Sequence, residues 1–405
     1  AFEQRASMNA LQLSTAQLLR KPLQTVLAIV LLALGIATLV FVVLVHGQLS
    51  RQLARDAEGI DLVVGAKGSP LQLILSGVYH IDVPTGNVAL AAVDQLRANR
   101  LIAQVIPVSL GDNFHGFRIV GTEPALIEHY RGRLAAGVLW SVPMEAVLGA
   151  DVARNTGLAI GSTFAGSHGL AAGGAAHENA RYRVVGVLMP TGTVLDRLII
   201  TDKASVWRVH EGEPADADER AILEAEREVT ALLVRYASPL AAAIVPRQVN
   251  AESQLMAASP ASELARLFAV VGIGINTMRV FAAILIASSL LALFVTLYNA
   301  LEERRYDIAV MRLLGASRSR IVGLMLLEAW LQAMVAIIVG LVVGVVAVMV
   351  MSHWLAQART VSLSAEITPE LLWIGIVALA VATIAALLPA WRAGRMDVAQ
   401  TLARR

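Results

Sequence analysis

No cysteine occurs in the 405-residue chain. Disulfides, thiolate metal sites and cysteine nucleophiles are thereby excluded together, and the redox compartment is left open. Charge is also scarce: 16% of residues are Asp, Glu, Lys or Arg, too few for an ordinary soluble surface. The signs nearly cancel, 33 Lys and Arg against 31 Asp and Glu for a net +2, so the electrostatic footprint of a nucleic-acid binder is missing. The isoelectric point near 9.1 reflects the small basic excess. Enzyme signatures are missing too. The phosphate-cradling pattern G-x-x-x-x-G-K-[ST] does not occur, and Gly65-Ala66-Lys67-Gly68-Ser69 lacks its spacing. Neither H-E-x-x-H nor G-x-S-x-G is present, which leaves hydrolase chemistry without a recognisable motif.

What the chain has in abundance is apolar sequence: 57% of it is hydrophobic, with a mean hydropathy of +0.65. A helix crosses the hydrocarbon core in about 20 apolar residues. Four segments meet that length: Leu23 to Val45, Val280 to Leu301, Ile321 to Met351 and Leu371 to Leu388. The third exceeds the need, so it tilts or projects into water. The first is too long for the core of a signal peptide and is followed by no A-x-A-like cleavage site at Val45-His46-Gly47-Gln48, so it reads as an uncleaved anchor. Met8 reads as a start, and residues 1–7 are given no role.

Orientation follows from Lys and Arg in the short segments. Arg20 and Lys21 precede the first span, Arg304, Arg305, Arg312, Arg318 and Arg320 lie between the second and third, and Arg392, Arg395, Arg404 and Arg405 follow the fourth. Residues 352–370 carry Arg359 alone. The expected layout is a cytoplasmic segment 1–22, spans at 23–45, 279–301, 321–351 and 371–388, an outside domain at 46–278, a cytoplasmic connection at 302–320, a short outside loop at 352–370 and a cytoplasmic tail at 389–405.

The outside stretch reads as mixed α/β. Strands are expected at Ile60 to Val64, Val105 to Leu110, Phe117 to Val120, Tyr182 to Leu188, Leu198 to Thr201 and Val229 to Tyr236. Helices are expected at Ala89 to Asn99 and Pro239 to Glu252. Gly166 to Ala176 reads as an exposed loop, and Ala261 to Val271 as a stalk continuing the second span.

The connection Glu302 to Arg320, EERRYDIAVMRLLGASRSR, carries the most specific signal. Ile308, Met311 and Leu314, beside Val310 and Leu313, form one apolar face at helical spacing. Gly315 suits a C-cap, and Ser317 can start the next helix. Taken alone, the pattern fits an interfacial helix equally well. The stretch resembles the signature E-R-x-x-E-I-x-x-x-R-x-L-G-A-S of MacB/FtsX-type ABC transporter permeases (type VII), matching at Glu303, Arg304, Ile308, Arg312, Leu314, Gly315, Ala316 and Ser317, with Asp307 where Glu is usual. PAWRAGRMDVAQTLARR from Pro389 resembles the family's C-terminal tail, departing at Val398 and Gln400. Ala146 to Phe164 and Tyr182 to Thr193 look like its periplasmic core, and Met325 to Gly344 like its third span.

The resemblance implies a four-helix membrane protein with a large α/β extracytoplasmic domain of the MacB periplasmic-core type, in the bacterial inner membrane, with both termini cytoplasmic. That domain would comprise a porter-like part from both ends of the insertion and a lobe from its middle. The stretch with Glu303, Arg304, Ile308, Met311, Arg312, Leu314 and Gly315 would be the coupling helix that docks on a separate ATPase subunit, which would carry ATP and Mg²⁺. A permease homodimer, a periplasmic adaptor or lipoprotein, and membrane lipids are the further expected partners. By the same resemblance, ATP hydrolysis on the ATPase subunit would be relayed as movement of the periplasmic domain, driving export or extraction of an envelope substrate; the alternative role is that of FtsX, a transmembrane regulator of a periplasmic cell-wall hydrolase.

Glu328 is a carboxylate within the third span, about two turns from its cytoplasmic end. Such a group is a functional candidate by default, but a structural partner for the coupling region is preferred. Gly340 and Gly344 form a G-x-x-x-G suited to close helix approach, within one subunit or between two. His168 and His177 flank the Gly/Ala-rich interval with Glu178 beside them, and His210 and Glu211 open an acidic stretch containing Asp216, Asp218 and Glu219. These histidines are weak metal candidates, on which a metal-linked transporter would rest. Scattered surface histidines, with no metal bound directly, are the preferred reading.

Overall fold

The computed structural model describes residues 22–169, 176–211, 226–357 and 368–395, together with Ser14, Thr15, Leu18, Asp218, Leu223 and Glu224. In chain order the elements are α1 (Pro22–Asp56), β1 (Leu62–Ala66), α2 (Pro70–Gly77), β2 (Val88–Ala89), α3 (Ala91–Arg97), β3 (Ile102–Phe114), β4 (Phe117–Thr122), α4 (Ala125–His129), β5 (Leu134–Gly137), β6 (Glu145–Leu148), α5 (Ala150–Thr156), β7 (Thr163–Ser167), β8 (Ala176–Leu188), β9 (Leu198–Asp202), α6 (Lys203–Glu211), β10 (Glu228–Val229), β11 (Ala231–Tyr236), α7 (Ala241–Glu252), β12 (Leu255–Ala258), α8 (Pro260–Glu303), α9 (Arg305–Leu313), α10 (Arg318–Gln357) and α11 (Pro369–Gly394). A short 3₁₀ turn, Val194–Arg197, precedes β9. The chain divides into two compact units, one in Ala1–Gln48, Val271–Trp354 and Leu363–Arg405, the other in Leu49–Val270 and Leu355–Ser362.

In the first unit, α1, α8, α10 and α11 are each long and apolar enough to cross a membrane. Lipid tails are as apolar as leucine, so helices here gain from close packing rather than from leaving water. The α11 contact stripe is accordingly built of alanine at every fourth position, Ala378, Ala382, Ala386 and Ala390, all buried. It shares a core with Leu32, Ile36, Val40 and Leu44 of α1, Leu293 and Leu297 of α8, and Ala329, Ala333 and Ala336 of α10. The Ser289 hydroxyl of α8 donates to the Ala28 carbonyl at 3.0 Å, and the Trp330 indole N–H donates to Thr383 Oγ1 at 2.9 Å.

These helices outrun the apolar runs from which they were expected. α1 continues past Val45 to Asp56, and α8 begins at Pro260, so the stalk reading of Ala261 to Val271 corresponds to one continuous helix. Pro260 and Pro369 both suit a helix start, where a missing N–H costs nothing. α11 does not stop at Leu388: Pro389 lies inside it, and the helix runs on to Gly394. The loss is one backbone bond to the preceding turn. The expected tail therefore begins as helix, while residues 396–405, including the departures at Val398 and Gln400, lie outside the described residues.

The second unit is built on a ten-stranded sheet in the order β12-β1-β11-β3-β4-β9-β6-β8-β5, with β7 pairing to β3 and β8, and on a two-stranded pair, β10-β2. The pairings β4/β9 and β6/β8 are parallel. Strands from the two ends of the insertion, β1, β11 and β12, gather at one side of the sheet, and those from its middle, β5, β6 and β8, at the other. Side chains alternate across a strand, and the sequence uses both faces. Val63 and Leu233 enter one core with Leu73, Ile74, Leu126 and Leu195. Their neighbours Leu62, Val64, Leu232 and Val234 enter another with Val93, Leu96 and Val245.

Several strands and helices had no clear signal in the sequence: β2, β5, β6, β7, β12, α2, α4, α5 and α6. The expected strand at Val229 to Tyr236 is divided at Thr230, whose Oγ1 accepts from the Leu110 amide at 2.9 Å, so β10 pairs away from the main sheet. The helix expected from Ala89 begins at Ala91, because Val88 and Ala89 pair with β10. Gly166 to Ala176 is not loop at its ends: Gly166 and Ser167 belong to β7 and Ala176 opens β8, while residues 170–175 lie outside the described residues.

Candidate functional site

The short helix α9 follows α8 after a break at Arg304, whose backbone at φ −103° and ψ 10° ends the long helix. It closes at Leu314, and Gly315 takes φ 94°, the left-handed turn glycine makes without a Cβ penalty. The Ala316 amide then donates back to the Met311 carbonyl at 2.9 Å, satisfying an end that would otherwise be open.

Two ties hold α9 to its own bundle. Arg304 Nη1 lies 3.7 Å from a carboxylate oxygen of Glu328, which is buried on α10. Arg312 Nη1 donates to the Gly394 carbonyl at the end of α11 at 3.4 Å. The Arg305 guanidinium also pairs with Glu302, and Glu303 is exposed. The apolar residues do not form the single outward face expected from their spacing. Ile308 is 6% exposed and packs in the bundle core with Met311 against it, whereas Leu314 is 83% exposed, and Leu313 and Tyr306 are exposed with it. Helical spacing places residues on a face but does not say which neighbour that face meets, and here the bundle takes the Ile308 side.

Gly340 and Gly344 meet α1 of the same chain. A Cβ at Gly340 would lie 2.8 Å from the Ala33 carbonyl oxygen and from Ile36 Cβ, and one at Gly344 would lie 2.7 Å from Val40 Cβ. The pair thus serves contact within the subunit.

In the second unit, a buried network fixes the last turn of α1. The Asp56 carboxylate meets Arg197 Nη2 at 3.2 Å and accepts from Gln52 Nε2 at 3.0 Å. The Tyr130 hydroxyl donates to the Asp56 carbonyl at 2.7 Å, and the Tyr79 hydroxyl to the Leu53 carbonyl at 3.1 Å. Gln52 also reaches the Gly192 carbonyl at 3.2 Å. Gly192 belongs to the Thr191-Gly192-Thr193 turn, whose backbone is held by Asp196: the amides of Thr191 and Gly192 donate to its carboxylate at 2.8 Å and 2.7 Å. Burial pushes the Tyr79 and Tyr130 hydroxyls well above their ordinary pKa, with the Asp56 charge acting in the same direction. Both remain donors at any physiological pH. None of these residues stands out in sequence, because each is a common polar type whose partner lies far along the chain. Beside the network, a cleft of about 750 Å³ is bordered by Arg55, Arg131, Arg133, Arg235, Glu58 and Glu128.

His168 and His177 come together with Asp112, a residue not singled out from sequence. His210 lies in α6, and its side chain, like those of Glu178, Asp216 and Glu219, lies outside the described residues.

Comparison with known proteins agrees with this architecture. Residues 25–252 match the MacB-like periplasmic core domain, and residues 279–398 match the FtsX-like permease C-terminal domain. No curated protein matches the chain. Among solved structures, the extracellular domain of the noncanonic ABC-type transporter YknZ from Gram-positive bacteria is similar at 10% identity and a TM-score of 0.30, covering 48% of this chain and 98% of that one. Four apolar helices, a mixed α/β domain inserted between the first and second, and matches that together take in most of the sequence lead to one conclusion: the chain belongs to the MacB/FtsX-like family of ABC transporter permeases, membrane proteins with an extracellular domain that partner an ABC ATPase subunit.

Proposed function

We propose that the protein couples ATP hydrolysis on a separate ATPase subunit to movement of its extracellular domain, driving export or extraction of an envelope substrate. The observation that carries this reading is the division of α9: Ile308 is anchored in the bundle while Tyr306, Leu313 and Leu314 face outward. A docking surface fixed to the bundle through Arg304–Glu328 transmits force instead of swivelling. Burying one large apolar side chain contributes about 1.5–3 kcal/mol, enough to change a docking equilibrium by about tenfold or more. α1 and α8 each continue beyond their apolar stretches as unbroken helix, the element best suited to carry a displacement outward. ATP and Mg²⁺ reside on the partner, two permeases pair with two ATPase subunits, and a periplasmic adaptor or lipoprotein is the natural client of the moving domain.

In this reading the chain lies in the inner membrane with both termini and α9 in the cytoplasm, as the positive charges flanking the spans favour. Because native cysteine is absent, single cysteines report topology cleanly. Ala136→Cys should react with an impermeant reagent in cells with a permeable outer barrier, and Ser317→Cys should not. Reaction at 317 overturns the orientation. The functional test is purification with the cognate ATPase and measurement of its hydrolysis. Stimulation by an exported lipid, peptide or lipoprotein supports transport, whereas activation of a bound cell-wall hydrolase without substrate stimulation would assign the protein to the regulatory role.

A further inference from the structure

We propose that Asp112, His168 and His177 form a binding site for one divalent transition-metal ion, of which Zn²⁺ is the best fit, on the extracellular domain. His168 Nδ1 lies 3.1 Å from Asp112 Oδ1, and His177 Nε2 lies 3.2 Å from Asp112 Oδ2. The two imidazoles stand edge to face with ring centroids 4.3 Å apart. One ligand atom from each of the three residues falls within 4.8 Å of the others. Four ligands at about 2.0–2.1 Å in a tetrahedron stand about 3.3 Å from one another, so a contraction of up to about 1.5 Å brings these three onto one ion. Two imidazoles and a carboxylate are a borderline donor set, which selects zinc and its neighbours over Mg²⁺ or Ca²⁺. Three protein ligands leave a fourth position, and the His168 side chain is 53% exposed, so the site opens to solvent there.

The fold builds this cluster from three adjacent strands. Asp112 lies where the register of β3 against β4 shifts, between Leu110 and Asn113, and such irregularities re-aim a side chain. His168 directly follows β7, which pairs with β3 at Asn113 and Ser167. His177 is the second residue of β8, which pairs with β7 at Ala176 and Ser167. Asn113, fully buried, fixes the histidine-bearing turn: its Nδ2 donates to the Ser167 carbonyl at 2.9 Å and to the Gly169 carbonyl at 2.8 Å, the carbonyls of the two residues that flank His168. Gly166 keeps the approach open, since a Cβ there would stand 3.0 Å from Asp112 Cβ and 3.2 Å from its Oδ2. The nearby charged group is Arg118, which interacts with Asp112 and donates from Nη2 to the Asp82 carbonyl at 3.0 Å. Its positive charge opposes that of a bound cation.

The residues that would hold the ion need no transport activity to be tested. The purified full-length chain, stripped with a chelator and titrated with ZnCl₂ against a chromophoric competitor, should bind one ion per chain at micromolar or lower Zn²⁺. Co²⁺ should give the visible absorption of a tetrahedral site. The His168→Ala, His177→Ala double variant and Asp112→Asn should each bind at least about 100-fold more weakly, beyond the 10–100-fold typical of losing a mere supporting contact. Variants with wild-type melting behaviour are the ones compared, and His168→Ala alone, at a half-exposed position, serves if the others fold poorly. Equal binding by wild type and variants, or no saturable binding by wild type, overturns the site and identifies the cluster as two histidines set against one carboxylate.

Discussion

Arg304, the residue that breaks α8 from α9, stands 3.7 Å from Glu328 on α10, and the carboxylate is buried where the short helix leaves the bundle. The pair joins the first residue of the family signature's basic side to the third apolar helix. Removing one member of a buried pair costs about 3–5 kcal/mol, and an exposed pair is worth about 1 kcal/mol or less. Because the Arg304 side chain is partly exposed, Glu328→Gln should fall between these limits. A thermal melt of the chain in detergent should show a clear fall in midpoint, partly restored by exchanging the two charges. An unchanged midpoint would mean that the pair does not hold α9.

Leu314 and Ile308 separate docking from folding. Leu314→Asp should leave the melting midpoint near wild type and abolish co-purification of the ATPase. Ile308→Asp places a charge in the bundle core and should lower the yield of folded chain itself. Retention of both ATPase binding and stimulated hydrolysis by Leu314→Asp would reduce α9 to an interfacial helix.

The glycine pair gives a third expectation. Gly344→Leu drives a side chain into Val40, and overpacking of this kind costs about 1–3 kcal/mol or more. The loss should appear as lower stability of the individual subunit at every protein concentration. If only the dimer-to-monomer ratio changes, the contact with α1 is not the one that matters.

His80 should make the extracellular domain sensitive to acid. Burial, then the charges of Arg118 and Arg197, lower its pKa from 6.5 to about 3. The unfolded chain therefore binds the extra proton between these values and the folded chain does not, so stability falls as pH drops through about 6.5 toward about 3. The effect is on the order of a few kcal/mol across the full window. Because His80 has φ 57°, His80→Asn is the suitable control, as asparagine tolerates that backbone. Melting midpoints from pH 7 to pH 4 should decline less steeply in the variant, and parallel declines would remove His80 as the cause.

The amino-acid sequence by itself determined the membrane class, the four spans and the placement of the inserted domain, because about twenty consecutive apolar residues have few other stable outcomes. The strands at Phe117 and Leu198 and the helix ending at Glu252 were legible for the same kind of reason, a local periodicity bounded by turn residues. Where α1 and α11 end was not legible, since Gln52 and Asp56 are satisfied by Gly192 and Arg197, and Pro389 is carried by a helix packed through Ala386 and Ala390. Only the tertiary structure decided that Ile308 faces its own bundle and Leu314 faces outward, because a periodic face does not name its partner. It likewise decided that Gly340 and Gly344 meet α1, and that Asp112 meets both His168 and His177. The histidine cluster depends on the pairing of β3 with β7 and of β7 with β8, a non-local register that spacing along the chain does not encode.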